Sequence, residues 1–403
     1  MPTSKALRHT LALLLALLAS IAWASPAQTV TATAPDTPRI GVITMGPGAI
    51  FWERFGHDAI VVEDPRSGTR TSYNFGFFDP DEPDFLSRFI AGQMRYRLVA
   101  LPLQEDLAYY RQAGRGAKLQ WLALTPAQAR TLAQALAINA RPENARYHYD
   151  YFTDNCATRV RDALDRTLDG ALRRQLQGRS SGDTYRSEAL RLAAPAPWMW
   201  LAFDIGLGPY ADQPLSRWQQ AFLPRRLADD LRKVNGTTGR PLVAAEETLL
   251  LQRLAPEPAE RDWPVWPWLL TGVLLAGLVL ATGDRHRRTL GALAGLLWLI
   301  CGLVGLVLAL GWALTEHQAM WANRNLLLFN PLCLLLLPAA WTLLRGRTPP
   351  RHTWGVLLSV AVLAALACLP LWLQVHPQRN GHWIALLLPL HAALARLWPR
   401  LSA

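Results

Sequence analysis

Between Trp266 and Leu397 the chain runs through five apolar stretches, roughly Trp266–Thr282, Thr289–Trp312, Leu326–Leu344, Trp354–Val375 and Trp383–Leu397. The first four contain no Asp, Glu, Lys or Arg and approach the ~20 residues that a helix needs to cross bilayer hydrocarbon; the fifth is short. In lipid every backbone N–H and C=O needs a partner within the protein, so this half must be helical. Residues 263–403 are therefore expected to form an all-α transmembrane bundle of about five helices. The segment Trp263-Pro-Val-Trp266-Pro-Trp268 marks its entry, since tryptophan concentrates at the bilayer surface.

The formal net charge of +11 would suit a nucleic-acid partner, but the arginines stand in the wrong places. They cluster in Asp284–Arg288, in Arg345–Arg351 and at Arg396 and Arg400, alternating with the arginine-poorer loops 316–325 and 376–382. Arginine-rich loops stay cytoplasmic, so everything before residue 263 faces outward, away from nucleic acid. A second signal agrees. Lys5, Arg8 and His9 precede the apolar run Leu11–Ala22, and Ala22-Trp23-Ala24 has a small-x-small cleavage form, so residues 1–24 read as a signal peptide. The expected location is the inner membrane, multi-pass, with a periplasmic domain. The outer loops hold His317, Asn323, Asn325, His376, Gln378, Asn380 and His382, which either line a polar mouth facing the outward domain or, the reading preferred here, are ordinary solvated loop polarity.

Residues 25–38 form a Thr/Ala/Pro-rich lead-in without periodicity, and 39–262 a globular unit. Strands are expected at Arg39–Met45, from His57 to Glu63, and at Thr69–Phe75 after the turn Asp64-Pro-Arg-Ser-Gly68. A short helix ending near Gly92, a strand Arg95–Leu103, a helix Gln104–Ala113 and a strand Lys118–Ala123 follow. Thr125-Pro126-Ala-Gln128 opens a capped helix to Asn139. The class is α+β. The tryptophan-rich segment Pro195–Phe203 belongs either to the core or to the lipid interface.

Cys301, Cys333 and Cys368 lie in apolar runs, which leaves Cys156 as the one thiol of the outward unit and rules out a disulfide within it. Thr153, Asp154 and Asn155 offer N-cap side chains, so Cys156 falls in the first turn of an amphipathic helix. Free N–H groups there are expected to lower the thiol pKa. An inert buried cysteine is the plain alternative. A thiolate nucleophile needs a base, and the base needs an orienting group. His57 at the start of a strand is the candidate base, with Asn74 on the neighbouring strand as orienter and Tyr73 as its rival, because only one of the two faces His57. Asn155 is a candidate oxyanion or substrate contact. The histidines lack metal-ligand spacing, and no cofactor is expected.

Phe55-Gly56-His57, Tyr73-Asn74-Phe75-Gly76, Tyr149-Asp-Tyr-Phe-Thr-Asp-Asn155-Cys156-Ala-Thr-Arg159, Gly206-Leu-Gly208 with Asp212-Gln-Pro214, and Asn325 to Asn330-Pro331 resemble the Lnb-type bacterial lipoprotein N-acyltransferases. The resemblance implies a circularly permuted, papain-like fold of the NlpC type, with His57 as base and Cys156 as nucleophile. It also implies transfer of an acyl chain from a phospholipid to the α-amine of a diacylglyceryl-cysteine lipoprotein. A papain-like cell-wall peptidase or amidase, a phospholipase and a non-enzymatic membrane-anchored sensor are the alternatives. A peptidase would not need five spans, and a sensor would not need the thiol.

Overall fold

A computed structural model describes residues 36–259, 264–373 and 377–403. The expected signal peptide, nearly all of the lead-in, and His376 lie outside the described residues.

Seven strands form one antiparallel sheet in the order β6-β4-β3-β2-β1-β5-β7: β1 Arg39–Met45, β2 His57–Glu63, β3 Arg70–Phe77, β4 Arg95–Pro102, β5 Ala117–Leu122, β6 Arg146–His148 and β7 Val243–Leu250. Strand alternation sends its side chains to two cores. One face buries Ile40, Val42, Ile60, Phe75 and Leu98 against helices α3 (Pro126–Asn139) and α4 (Cys156–Thr167). The other buries Ile43, Met45, Ala59 and Val61 against Leu103, Leu107 and Tyr110 of helix α2 (Leu103–Ala113). The capping box at Thr125 is present as expected. The edge strand β7 pairs with β5 across more than a hundred residues, and the local pattern of Val-Ala-Ala-Glu-Glu-Thr-Leu-Leu gave no sign of it.

The C-terminal region is helical. It comprises α8 (Trp266–Thr282), α9 (Arg287–Leu314), α10 (Leu337–Leu344), α11 (Thr353–Leu366) and α12 (Gly381–Leu401) around buried Trp298, Leu328, Leu336, Leu357, Val360 and Trp398. By length and composition, two helices among the described residues, α9 and α12, are able to cross a membrane, and a bent pair, Gln318–Leu327 with Pro331–Leu344, has the composition of a broken span or a re-entrant loop. Three expectations need correction. The run Leu326–Leu344 is not one helix. It bends by 43° because Pro331 has no N–H and disfavours helical backbone at Asn330, whose side chain instead accepts from Leu332 N at 3.0 Å. The stretch from Trp354 likewise stops at Leu366, four residues before Pro370, where a helical carbonyl would meet the proline ring. The last stretch, expected to be short, is a 21-residue helix running through Pro389 and Pro399.

Four of the polar side chains of the outer loops are not solvated, contrary to expectation. Asn323, Asn325, Gln378 and Asn380 are buried and grip the sheet domain. The last carbonyls of helix α6 (Pro197–Gly206) have no partner in their own helix, as at any helix C-terminus. Asn323 Nδ2 donates to Ile205 O and Gly206 O, both at 2.9 Å, and Asn325 Nδ2 donates to Ile205 O at 2.9 Å. Asn380 holds Asn325 at 3.0 Å, and Gln378 holds Asn323 at 2.9 Å. The buried carboxylate of Asp204 accepts from His382 Nε2 and Trp383 Nε1, each at 2.6 Å. Fully buried Arg186 pairs with Asp212 at 2.9 Å and donates to Asp204 O at 2.7 Å. The sheet domain thus rests on the arginine-poorer loops. At the bundle's other end Arg288 lies beside Gly346, and Arg351 donates to Ser402 O at 3.2 Å.

Candidate active site

The pairing of β2 with β3 ends at Ala59 and Asn74, and on its other side β3 shifts register against β4 between Asn74 and Phe77. Gly56 and Gly76 flank the gap beyond the end of the pairing. Both have positive φ (79° and 88°), and a Cβ on Gly56 would meet Met45 O at 2.9 Å. Cys156 enters the gap from the α4 side, its Cβ 3.7 Å from where a Gly76 Cβ would lie. Asn155 is the N-cap of α4, and its Oδ1 accepts from Thr158 N at 3.0 Å.

His57 approaches from the opposite face. Its Nε2 lies 3.0 Å from Asn74 Oδ1. The amide orientation is fixed behind it, because Asn74 Nδ2 donates to Ser72 Oγ and to Asp106 Oδ2, both at 3.0 Å, and Ser72 Oγ donates to the same carboxylate oxygen at 2.7 Å. With Oδ1 turned to the imidazole as acceptor, Nε2 carries the hydrogen and Nδ1 keeps its lone pair. The ring stacks on Tyr110, centroids 6.5 Å apart, which leans on Arg115. Burial lowers the His57 pKa, against the pull of Asp106 and Asn74, so the imidazole is a free base at neutral pH.

The thiol makes no hydrogen bond to His57 in this arrangement. The backbone N–H groups of Asp58, Ala157 and Cys156 itself favour its ionised form, Asp58 being the residue next to His57. These donors match the reasoning from the helix N-terminus, but its conclusion fails. Burial, reinforced by the charge of Asp58, pushes the Cys156 thiol up to about 12. Desolvating a thiolate costs more than three amide donors return. The resting thiol is thus neutral, as is the imidazole. Asp58 is fully buried, its Oδ1 accepts from Thr44 at 2.6 Å, its Oδ2 has no partner among the described residues, and burial lifts its pKa to about 7.

Asn74 rather than Tyr73 faces His57, because Tyr73 projects to the α4 face and packs on that core. Asn155 has no donor to spare, since Nδ2 is engaged by Tyr151 O at 2.8 Å and Phe222 O at 2.9 Å. Asp106 was missed. It occupies the buried face of α2 with Leu103, Leu107 and Tyr110, and a carboxylate at that i, i+3, i+4, i+7 spacing was the available signal. No cluster of metal-binding side chains occurs among the described residues.

An aromatic wall joins this gap to the helical region. Tyr149 packs against Gly76 next to Cys156 and lies 4.4 Å from Tyr96 and 6.2 Å from Tyr151, centroid to centroid. Tyr151 stacks at 5.7 Å on His317, three residues beyond the end of α9.

Residues 26–190 match the family model of the Lnb N-terminal periplasmic domain, and residues 261–398 match that of the Lnb transmembrane domain. No curated protein and no solved structure matches the chain.

Proposed function

The chain is an Lnb-type protein, matched in both its periplasmic and transmembrane domains, and on that premise we propose that it is a cysteine-dependent lipoprotein N-acyltransferase of the inner membrane. Cys156 is its nucleophile, His57 its base and Asn74 the group that fixes the base. The fold reading that accompanies this is the permuted papain-like one, in which the histidine strand precedes the cysteine helix. The observation that carries the proposal is the aromatic wall, which ties a buried thiol to the outer loop of the membrane helices through Tyr149, Tyr151 and His317. A thiol serving soluble peptides gains nothing from that connection.

In the first half-reaction His57 Nδ1 takes the thiol proton as sulfur attacks an ester carbonyl of a phospholipid. An S–C bond forms, the ester C–O bond breaks, and the imidazolium returns its proton to the departing lyso-lipid oxygen. In the second, the α-amine of a diacylglyceryl-cysteine attacks the thioester. An N–C bond forms, the C–S bond breaks, and the amine proton passes through His57 back to sulfur. The oxyanion is received by the N–H groups around the sulfur, Asp58 on one side and the start of α4 on the other. Because the resting thiol is neutral, proton transfer accompanies attack rather than preceding it.

Purified wild type mixed with phospholipid should gain one acyl mass on intact protein, lost again on addition of a diacylated lipopeptide that becomes triacylated. Cys156→Ser should remove the thioester and lower transfer about a thousandfold or more while leaving the fold intact. Free fatty acid with no acylated peptide would make the protein a phospholipase instead. Undiminished transfer by Cys156→Ser would end the proposal.

A further inference from the structure

Helix α1 (Phe85–Ala91) is short and amphipathic in the unexpected sense, with Leu86 and Ile90, one turn apart, 66% and 59% exposed. Its end is fastened to the membrane region. Glu316 N, two residues past the end of α9, donates to Ala91 O at 2.8 Å, and His317 Nε2 bonds to Phe89 O at 3.0 Å. On the far side, the end of α6 is held by Asn323 and Asn325 of the same outer loop, and Trp200 of α6 lies 6.2 Å from His382 in the first turn of α12. Helix α6 leaves Trp198 62% exposed, with Leu201 beside it.

The two helices are linked by aromatic contacts. Trp198 meets Phe51 at 6.2 Å, Phe51 meets Trp52 at 4.8 Å, Trp52 meets Phe78 at 6.0 Å, and Phe78 stacks on Phe85 of α1 at 5.7 Å. Phe78 also stacks at 4.9 Å on Tyr96, the neighbour of Tyr149 at the thiol. A contiguous exposed apolar ridge of this kind is unusual on a water-facing surface. This one is bolted at both ends to the outer ends of the spans and passes beside the site.

We propose that Leu86, Ile90, Phe51, Trp52, Trp198 and Leu201 form a lip immersed in the outer leaflet, which holds the hydrocarbon of an outer-leaflet phospholipid at the mouth of the Cys156 gap. Its position in the bilayer follows from the fastening of α1 and α6. That the held chain is an acyl donor rests on the function proposed above. Apolar side chains with aromatic neighbours gain free energy by entering the acyl boundary, and the spans already fix the domain at that height.

Two measurements test this on the full-length protein. Nitroxide labels at Leu86→Cys and Ile90→Cys, with Cys156 and Cys368 changed to serine, are placed in phosphatidylglycerol/phosphatidylethanolamine vesicles. Oxygen should relax them more than a water-soluble nickel chelate does, as for a label at Leu293 on α9. Relaxation matching a label at exposed Arg141 would overturn the lip. Separately, Leu86→Gln with Ile90→Gln should lower acyl-enzyme formation from vesicle phospholipid about tenfold and leave alkylation of Cys156 by a small water-soluble maleimide within about twofold. Unchanged acylation, or an equal fall in alkylation, would overturn the chain-holding role. If wild type forms no acyl-enzyme at all, the function fails while the nitroxide result still decides the lip.

Discussion

The protein has two buried polar clusters that differ in one respect. At the joint between sheet domain and helices, the buried groups of Arg186, Asp204, Asp212, Asn323, Asn325, Gln378 and Asn380 all find partners, and the orphan carbonyls of α6 are capped by amides from the membrane region. In the Cys156 gap, Asp58 Oδ2 and Tyr147 Oη have none among the described residues, the imidazole bonds Asn74 through Nε2 alone, and the thiol makes no hydrogen bond to it. A saturated network locks a geometry, and an unsaturated one holds capacity for a ligand or a proton. The comparison teaches which cluster is a rivet and which a site.

That contrast is open to attack. Asp204→Ala takes a carboxylate from the centre of the joint, leaving the His382 and Trp383 donors without this acceptor and removing the negative charge 3.8 Å from Arg186 Nη1. The expected loss is about 3–5 kcal/mol, read as a lowered unfolding midpoint in detergent together with faster proteolysis between the sheet domain and the bundle. An unchanged midpoint would remove the rivet from the comparison.

Asp58 tests the site cluster through pH. Its folded-state pKa of about 7 stands above the ordinary 3.8, so the stability held by the neutral carboxyl is complete below pH 3.8 and drains away as pH rises to about 7. Asp58→Asn should cancel this loss. Relative to wild type it should gain up to about 4 kcal/mol between pH 4 and 8, the linkage value at ~1.4 kcal/mol per unit being an upper bound. A variant-minus-wild-type difference that stays flat from pH 4 to 8 would show that the carboxyl is solvated. Asn74→Ala is the smallest effect. It frees the imidazole to rotate and should lower kcat about a hundredfold with KM nearly constant, whereas an equal change in both kinetic constants would make Asn74 a substrate contact.

Much of this was legible from residue patterns. The outward orientation came from arginine placement, and it agrees with a structure in which the arginine-poorer loops hold the sheet domain. The strands bearing His57 and Asn74 and the helix opened by Cys156 came from alternation, turns and capping, all local properties of the chain. Asp106 was half-legible, visible as a carboxylate on a buried helical face but not as the anchor of Asn74. The polar outer loops were misread, because an asparagine that caps another domain's helix has the same sequence as one that faces water.

The sequence by itself determined that one half must be helical in lipid, that the other lies outside, and that a single thiol starts a helix there. These follow from hydrophobicity, charge and capping, which act within a few residues. Tertiary structure alone decided the state of that thiol. Three amide donors favour its ionisation, but the surrounding strands and tyrosines exclude water, and that penalty, set by what packs around the sulfur rather than by its neighbours in the chain, prevails.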